Sequence, residues 1–220
     1  MTQQLAQVFC ISQHPVKNEE TGKMEFALLT APPPIVEYAE KWHKSILKFC
    51  LLRGTQDISD QHEIAIAVNL TLQKIEDEIP IKFVKVGPND NPDLTFEWIA
   101  AKDDPVFVNN PTATAYSGFP DANGTAIHIR LNDDFNWSFS GTNFQFNPLN
   151  TLLHEMGHCM GLVHSPDCPL CIMYNFYNGV IELAVLDIAR YVAKYGARVW
   201  SNGAYLRMKL AVAAWSLRLR

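Results

Sequence analysis

The chain has 220 residues, of which 48% are hydrophobic and 19% are charged, and its formal net charge is −5. These values indicate a globular chain of one domain with extensions, and they exclude a disordered or fibrous protein. The negative net charge argues against nucleic acid as a partner. No apolar run reaches the ~18 residues that a transmembrane helix needs, and no secretory signal is visible at the start.

The pattern divides the chain into an extension at residues 1–40, a domain at residues 41–197 and a tail at residues 198–220. Residues 32–34 are three consecutive prolines, which cannot continue a helix or a central strand and therefore end the extension. The tail carries five basic residues and no acidic one. Its apolar residues recur at helical spacing, which is typical of a helix on an anionic membrane or in a partner groove, and equally of a helix packed on the domain.

Alternating or continuous apolar runs predict five strands in the domain. They lie at residues 45–52, 81–86, 94–99, 112–117 and 126–131. Between the first two strands we expect a helix over residues 60–79, where Asp60 and Glu63 form a capping-box pattern at its start. The stretch 100–124 is otherwise interpreted as loop-rich, because turn residues dominate it.

Two further helices are predicted in the second half of the domain. Asn147 is a favourable N-cap and Pro148 a favourable first residue, so a helix should run to about Met160 and end at Gly161. A last helix is predicted over residues 181–195. The order of strands and helices indicates an α+β domain, with a small mixed sheet and helices packed against it.

Residues 154–165 read His-Glu-Met-Gly-His-Cys-Met-Gly-Leu-Val-His-Ser. His154 and His158 are four residues apart on a predicted helix, so both imidazoles can reach one metal ion. Gly161 can turn the chain sharply, which lets His164 approach as a third ligand. Three protein ligands and a fourth position open to water are typical of a catalytic zinc site.

Glu155 follows the first of these histidines and is predicted to face the zinc-bound water rather than the metal. Zinc lowers the pKa of a bound water from about 16 to about 7, and Glu155 would take its proton as the water attacks a peptide carbonyl. The carboxyl group would then deliver that proton to the leaving amine. The pattern therefore predicts a zinc endopeptidase whose partner is a peptide or protein substrate.

These residues resemble the metzincins and, within them, the matrixins, which are the matrix-metalloproteinase branch. The long motif with its third histidine, followed by Ser165, is typical of that branch. Residues 173–177 resemble the family's Met-Tyr-Pro-x-Tyr segment, with Asn175 in place of proline, and residues 113–116 resemble its edge strand. The likeness extends over about residues 41–197.

The resemblance implies a twisted mixed sheet with two main helices, a C-terminal helix after the site, and one catalytic zinc ion. It also implies that substrate binds as an extra antiparallel strand along residues 112–117. Met173 would form an apolar floor beneath the metal. The substrate-binding residues carried over from the family are Thr114, Ala115, Tyr116, Asn175, Phe176 and Tyr177, of which the last three would wall the S1′ pocket.

The chain departs from the vertebrate matrixins in two respects. Thr114 stands where a histidine ligand of their second, structural zinc belongs, and His128 is the only histidine between residues 99 and 131. We therefore expect no structural zinc. Residues 1–40 also lack the family's Pro-Arg-Cys-Gly run, so latency through a cysteine on the metal is not expected.

Oxygen-rich clusters and cysteines leave further alternatives open. The clusters could hold calcium, and turn polarity explains them equally; they are Asp90/Asn91/Asp93, Asp121/Asn123 and Asn132/Asp133/Asp134. Without a visible signal peptide we expect an intracellular protein, although the family is mostly secreted. Cys168 and Cys171 would then be free loop thiols, or a disulfide in an exported protein.

Two other functions remain open at this point. A protein that keeps the metzincin scaffold and has lost turnover would act by binding, although Glu155 argues against it. A scaffold or membrane-associating protein would act through the basic tail at residues 198–220. A protein that binds zinc but cleaves no peptide would support the binding function. Loss of liposome binding on deletion of the tail would support the membrane function.

Overall fold

A computed structural model of the protein describes residues 40–140 and 145–199. It also describes the backbone of three short strands, β1 (Cys10–Gln13), β2 (Val16–Lys17) and β3 (Met24–Glu25). The predicted tail helix lies outside these residues. None of the described helices combines the length and the apolar character needed to cross a membrane.

The domain is built on a mixed sheet. Its strands are β4 (Ile46–Arg53), β5 (Lys82–Lys85), β6 (Leu94–Ile99), β7 (Ala113–Ser117) and β8 (Ile127–Asn132). The spatial order is β1-β7-β8-β6-β4-β5. Strands β5, β4, β6 and β8 pair in parallel, whereas β7 is antiparallel to β8. The α+β class with a mixed sheet is thus confirmed.

Strand β1 extends this sheet from within the N-terminal extension. It pairs antiparallel with β7, with Cys10 opposite Ser117 and Gln13 opposite Ala113. Strand β7 would otherwise be an edge strand with unpaired main-chain groups. The edge that the resemblance assigns to substrate is therefore covered by backbone of the same chain.

In the described part of the chain, four α-helices and a short 3-10 helix (Ala101–Asp103) accompany the sheet. The α-helices are α1 (Gln61–Glu76), α2 (Pro105–Asn109), α3 (Pro148–Cys159) and α4 (Val185–Tyr195). The α2 region was predicted to be loop, and the last helix begins four residues later than predicted. Helix α4 begins later because the Asp187 carboxylate accepts the Ala184 amide, which fixes the first turn there.

The core lies between the sheet and helices α1 and α3. Large side chains that are almost fully excluded from water fill it, among them Leu47, Ile64, Phe96, Trp98 and Leu152. Trp42 fixes the C-terminal end of α3, because its indole Nε1 donates to the Cys159 carbonyl at 2.8 Å. The hydroxyl of Tyr195 donates to the neighbouring Met160 carbonyl at 2.9 Å. The end of α3 is therefore held by both ends of the domain.

A buried carboxylate, Asp104, holds the segment between β6 and β7 against the sheet. It accepts the Val106 amide, the Tyr116 hydroxyl and an Arg130 guanidinium nitrogen, each at 2.8 Å. Burial acts to raise the pKa of Asp104, but the hydrogen bonds from Tyr116, Val106 and Arg130 outweigh it and lower the pKa. The ionised form is therefore the one that the fold stabilises.

We expect Asp104→Ala to lower the free energy of unfolding by about 2–4 kcal/mol, because it leaves the Tyr116 hydroxyl and Arg130 without their acceptor. Because the folded pKa lies below the unfolded value of about 3.9, this contribution is present above that pH and is lost as the pH falls further. Urea unfolding at pH 7 measures the change. Asp103→Ala is the control, since Asp103 is exposed, and an equal loss in both variants would contradict the assignment.

Candidate metal centre

Helix α3 carries the first two histidines of the motif. Asn147 caps its start by accepting the Leu149 amide at 2.9 Å, and Pro148 is the first helical residue, as the sequence predicted. Every residue of the helix is buried. His154 and His158 lie one turn apart, so their imidazoles project from the same face. Their mutual position is therefore set by helix geometry alone.

Gly161 reverses the chain after the helix. Its φ of +82° lies in the left-handed region, where a side chain is rarely accommodated. A Cβ atom at this position would also lie 2.9 Å from the main-chain oxygen of Glu40. The Leu162 amide donates back to the Gly157 carbonyl at 2.8 Å. The reversal directs the following segment, and with it His164, back toward the helix.

Three imidazole nitrogens converge as a result. Nε2 of His154 lies 3.1 Å from Nε2 of His158 and 3.1 Å from Nε2 of His164. Nitrogens bound to one zinc ion at ~2.0–2.1 Å in a tetrahedron are about 3.3 Å apart. These residues form the only group of three potential metal ligands found among the described residues. The donor set and its spacing fit a zinc ion.

Hydrogen bonds fix the tautomers of the two helix histidines. Nδ1 of His154 lies 2.8 Å from the Ile172 carbonyl, and Nδ1 of His158 lies 2.8 Å from the Leu162 carbonyl. A carbonyl only accepts, so each Nδ1 carries the proton and donates it. Each Nε2 therefore keeps its lone pair for a metal, which is the usual arrangement of a ligating histidine.

Burial keeps all three imidazoles neutral. It lowers the pKa of His154 to about 4, against an opposing effect of the Ile172 hydrogen bond. It lowers the pKa of His164 to about 3, with further contributions from His154 and the charge of Arg190. The pKa of His158 also falls well below its ordinary value, first through burial and then through its two neighbours. Neutral imidazole is the form that binds metal.

Glu155 is fully buried next to His154. Its Oε2 accepts the hydroxyl of Ser117, the last residue of β7, at 2.9 Å. Ser117 was not identified from the sequence, because nothing in the local pattern brings it to a residue so far along the chain. The structure therefore places the predicted base in contact with the strand assigned to substrate.

The segment after His164 returns beneath the site. The Ser165 amide donates to the Met173 carbonyl at 2.6 Å, and Met173 is fully buried against Gly157. Cys168 and Cys171 form a disulfide within this segment. The expectation of free loop thiols was therefore wrong for this pair, because the turn brings the two Cα atoms to 5.3 Å, well within bridging range.

Helix α4 holds this segment from outside. Arg190 is buried, and its guanidinium donates to the Val163 carbonyl at 2.6 Å and to the Ser165 hydroxyl, which are the neighbours of His164 on either side. Asp187 accepts the Ile172 amide at 2.9 Å. The role of Arg190 was also missed from the sequence, since the helical pattern gives no sign that a charged residue faces inward.

A narrow pocket opens beside His154. Its volume of about 10 Å³ is close to that of one water molecule. It is lined by Thr114, Asn150, Thr151, His154, Ile172, Phe176 and Tyr177. Three of the predicted substrate-binding residues thus meet here. Asn175 and Ala115 are not in the lining, and the Tyr116 side chain is turned to Asp104.

Within the described ranges, the predicted calcium clusters do not bring three carboxylates together as the histidines are brought together. Asp121 accepts the Asn123 amide and both the amide and the hydroxyl of Thr125. These are bonds of a polar turn. Calcium binding at these clusters stays a prediction.

Gly157 provides the space that Met173 occupies. A Cβ at Gly157 would lie 2.1 Å from the Met173 sulfur. We expect Gly157→Ala to destabilise the chelator-treated protein by about 1 kcal/mol, because overpacking of about 2 kcal/mol exceeds the helix-propensity gain of about 1 kcal/mol. Chemical denaturation measures this difference.

The Met173→Ala background is the control for this substitution, because it removes the overlap. There Gly157→Ala should become neutral or stabilising by up to about 1 kcal/mol. An equal loss in both backgrounds would show that the methionine contact is not the cause.

Comparison with known proteins identifies a family that this chain resembles. The family model described as Matrixin matches residues 41–196. Karilysin from Tannerella forsythia is 26% identical over 175 residues, which are 74% of this chain and 36% of the relative. Human matrix metalloproteinase-20 is 28% identical, over 63% of this chain and 28% of the relative.

A third relative, the interstitial collagenase of Oryctolagus cuniculus, is 24% identical over 71% of this chain and 33% of its own length. The chain spans about a third of the length of these relatives. Because the family match extends over most of the chain and includes all three histidines, the chain belongs to the matrixin family of zinc metalloendopeptidases.

Proposed function

We propose that this protein hydrolyses peptide bonds within protein substrates, with zinc held by His154, His158 and His164. The observation that carries the proposal is the convergence of three neutral imidazole nitrogens beside a buried glutamate. A bound zinc ion would polarise the scissile carbonyl and acidify the attacking water. The protein contributes the ligand geometry, the proton transfers and the placement of the substrate.

Glu155 is proposed as the general base. It takes the proton of the attacking water and passes it to the leaving amine, as a carboxylate within reach of both can do. The carboxylate is fully buried, which supports this role, because electrostatic interactions with a charge that develops nearby are stronger where water is excluded.

The substrate is proposed to lie along β7 with one side chain in the pocket beside His154. Main-chain pairing with an edge strand gives affinity, and the pocket selects the side chain. Phe176 and Tyr177 are among the residues that line this pocket, whose volume is only about 10 Å³. We therefore infer a preference for a small residue on the amine side of the scissile bond.

This placement requires that β1 leave the edge of β7. Residues Cys10–Gln13 pair with the main chain of Ala113–Ser117, and Thr114 within that stretch lines the pocket. A second extended strand cannot use the same main-chain groups. The N-terminal segment therefore competes with substrate for the main-chain groups of β7.

Replacement of Glu155 by glutamine should lower kcat by about 10²–10⁴-fold with zinc content unchanged, because the amide keeps the shape but cannot accept the proton. Cleavage of a fluorogenic peptide library measures kcat, and atomic absorption measures zinc. A chelator should abolish activity in the wild type, and added zinc should restore it.

Glu63→Gln is the matched control for this substitution, because Glu63 is an exposed glutamate on α1. Its kcat should equal that of the wild type. Wild-type turnover by Glu155→Gln would remove the carboxylate from the mechanism. Zinc-loaded protein that cleaves no peptide, with β1 in place or displaced, would favour the binding-protein alternative.

Displacement of β1 should raise activity. The double variant Ile11→Pro/Ser12→Pro removes two successive main-chain N–H groups of β1. At least one of them points at β7, because hydrogen bonds alternate along an antiparallel pair. We expect kcat/KM for a peptide substrate to rise about tenfold, which corresponds to one or two hydrogen bonds. Initial rates at peptide concentrations below KM give kcat/KM.

The matched control is Val16→Pro/Lys17→Pro, since β2 pairs with β3 and not with β7. This variant should leave kcat/KM unchanged. Equal kcat/KM in all three proteins would show that β1 does not compete with substrate.

Membrane contact by the tail and an intracellular location stay predictions. The tail lies outside the described residues. Disulfides are rare in reducing compartments, so the Cys168–Cys171 bridge argues against the predicted intracellular location.

A further inference from the structure

The hydroxyl of Ser117 lies in a fully buried contact with Glu155. Oγ of Ser117 is 2.9 Å from Oε2 of Glu155 and 3.1 Å from its main-chain oxygen. Both residues are completely excluded from solvent. The Ser117 side chain also contacts the Cys159 thiol. Among these partners the carboxylate is the favoured acceptor, because charge-assisted hydrogen bonds are about twice as strong as neutral ones.

A general base works only when its carboxylate is held toward the proton that it takes. The last torsion of a glutamate is intrinsically broad, so the backbone of α3 does not fix the orientation of the carboxylate. A donor on one oxygen selects one orientation of the carboxylate. Ser117 is a rigid place for such a donor, because it pairs with Cys10 of β1 and its neighbour Tyr116 pairs with Arg130 of β8.

Strand β7 is anchored immediately beside this residue. The hydroxyl of Tyr116 donates to Asp104, which also binds Arg130. Strand β7 pairs with β8 on one side and with β1 on the other. The Ser117 hydroxyl therefore approaches Glu155 from a fixed point that does not belong to the metal-binding helix.

We propose that Ser117 is a positioning residue for Glu155, which orients the carboxylate for proton transfer. The proposal rests on the proposed role of Glu155. Ser117 touches neither the metal nor the reacting atoms, and it acts only through the glutamate. Loss of the Ser117 hydroxyl should therefore lower kcat, whereas the affinities for substrate and for metal should stay unchanged.

The first test is the kinetics of Ser117→Ala in the 220-residue chain, both alone and with Ile11→Pro/Ser12→Pro. We expect kcat to fall about 10- to 100-fold, since a displaced catalytic group commonly costs this much, with KM within about threefold of wild type. Ser117→Thr keeps the hydroxyl and should restore kcat to within about threefold. Zinc content should be the same in all of these proteins.

Cys50→Ala is the matched control, because it also removes one heavy atom from a buried strand residue. It should leave kcat unchanged. A second comparison uses Glu155→Asp, whose shorter side chain no longer reaches Ser117. Addition of Ser117→Ala to that variant should change its kcat less than twofold, because the contact is already absent.

A crystal structure of Ser117→Ala gives a readout that is independent of activity. The carboxylate of Glu155 should leave its position or occupy several. An unmoved and singly ordered carboxylate would overturn the inference, as would wild-type kcat in Ser117→Ala or an equal loss in Ser117→Thr. Glu155→Gln distinguishes a failure of the Ser117 inference from a failure of the proposed function. If Glu155→Gln is inactive while Ser117→Ala keeps the wild-type kcat, only the role of Ser117 fails.

Discussion

The site depends on one geometric constraint, which is that three imidazoles on a helix and a loop must meet at one point. The helix supplies two of them, and the reversal at Gly161 supplies the third. That reversal is packed against the carbonyl of Glu40 and the side chain of Lys194, at the two ends of the domain. Arg190 then binds both neighbours of His164. The metal centre therefore requires the complete domain rather than the helix alone.

Burial has opposite consequences for the groups gathered at this centre. For an imidazole, loss of water favours the neutral form, which is the form that binds metal, so burial and function agree. For the carboxylate of Glu155, loss of water is unfavourable unless donors and a nearby cation compensate. The Ser117 hydroxyl is one such donor. A bound metal cation would be the second partner, so the buried carboxylate is better stabilised in the loaded site.

The sequence predicted what depends on local geometry. Helical spacing, a glycine turn and an Asn-Pro helix start are properties of neighbouring residues, so α3 and its two histidines could be placed without tertiary information. The contacts of Ser117 with Glu155 and of Arg190 with the loop span 38 and 25–27 residues. No local pattern encodes such contacts. Helix α2 was missed because it is one turn long, and its Asp104-Pro105 start is also typical of a turn.

The pairing of β1 with β7 would inhibit the site differently from a side chain bound to the metal. A ligand on the metal blocks the site completely until it dissociates. A strand on the edge opposes substrate only with main-chain hydrogen bonds, each worth about 1 kcal/mol net. Because β1 belongs to the same chain, its effective concentration is on the order of millimolar, so even four weakly paired residues compete. If substrate binds along β7 as proposed, such a cover would be graded: long peptides that pair along all of β7 would displace it more readily than short ones, and substrate length would become part of the selectivity.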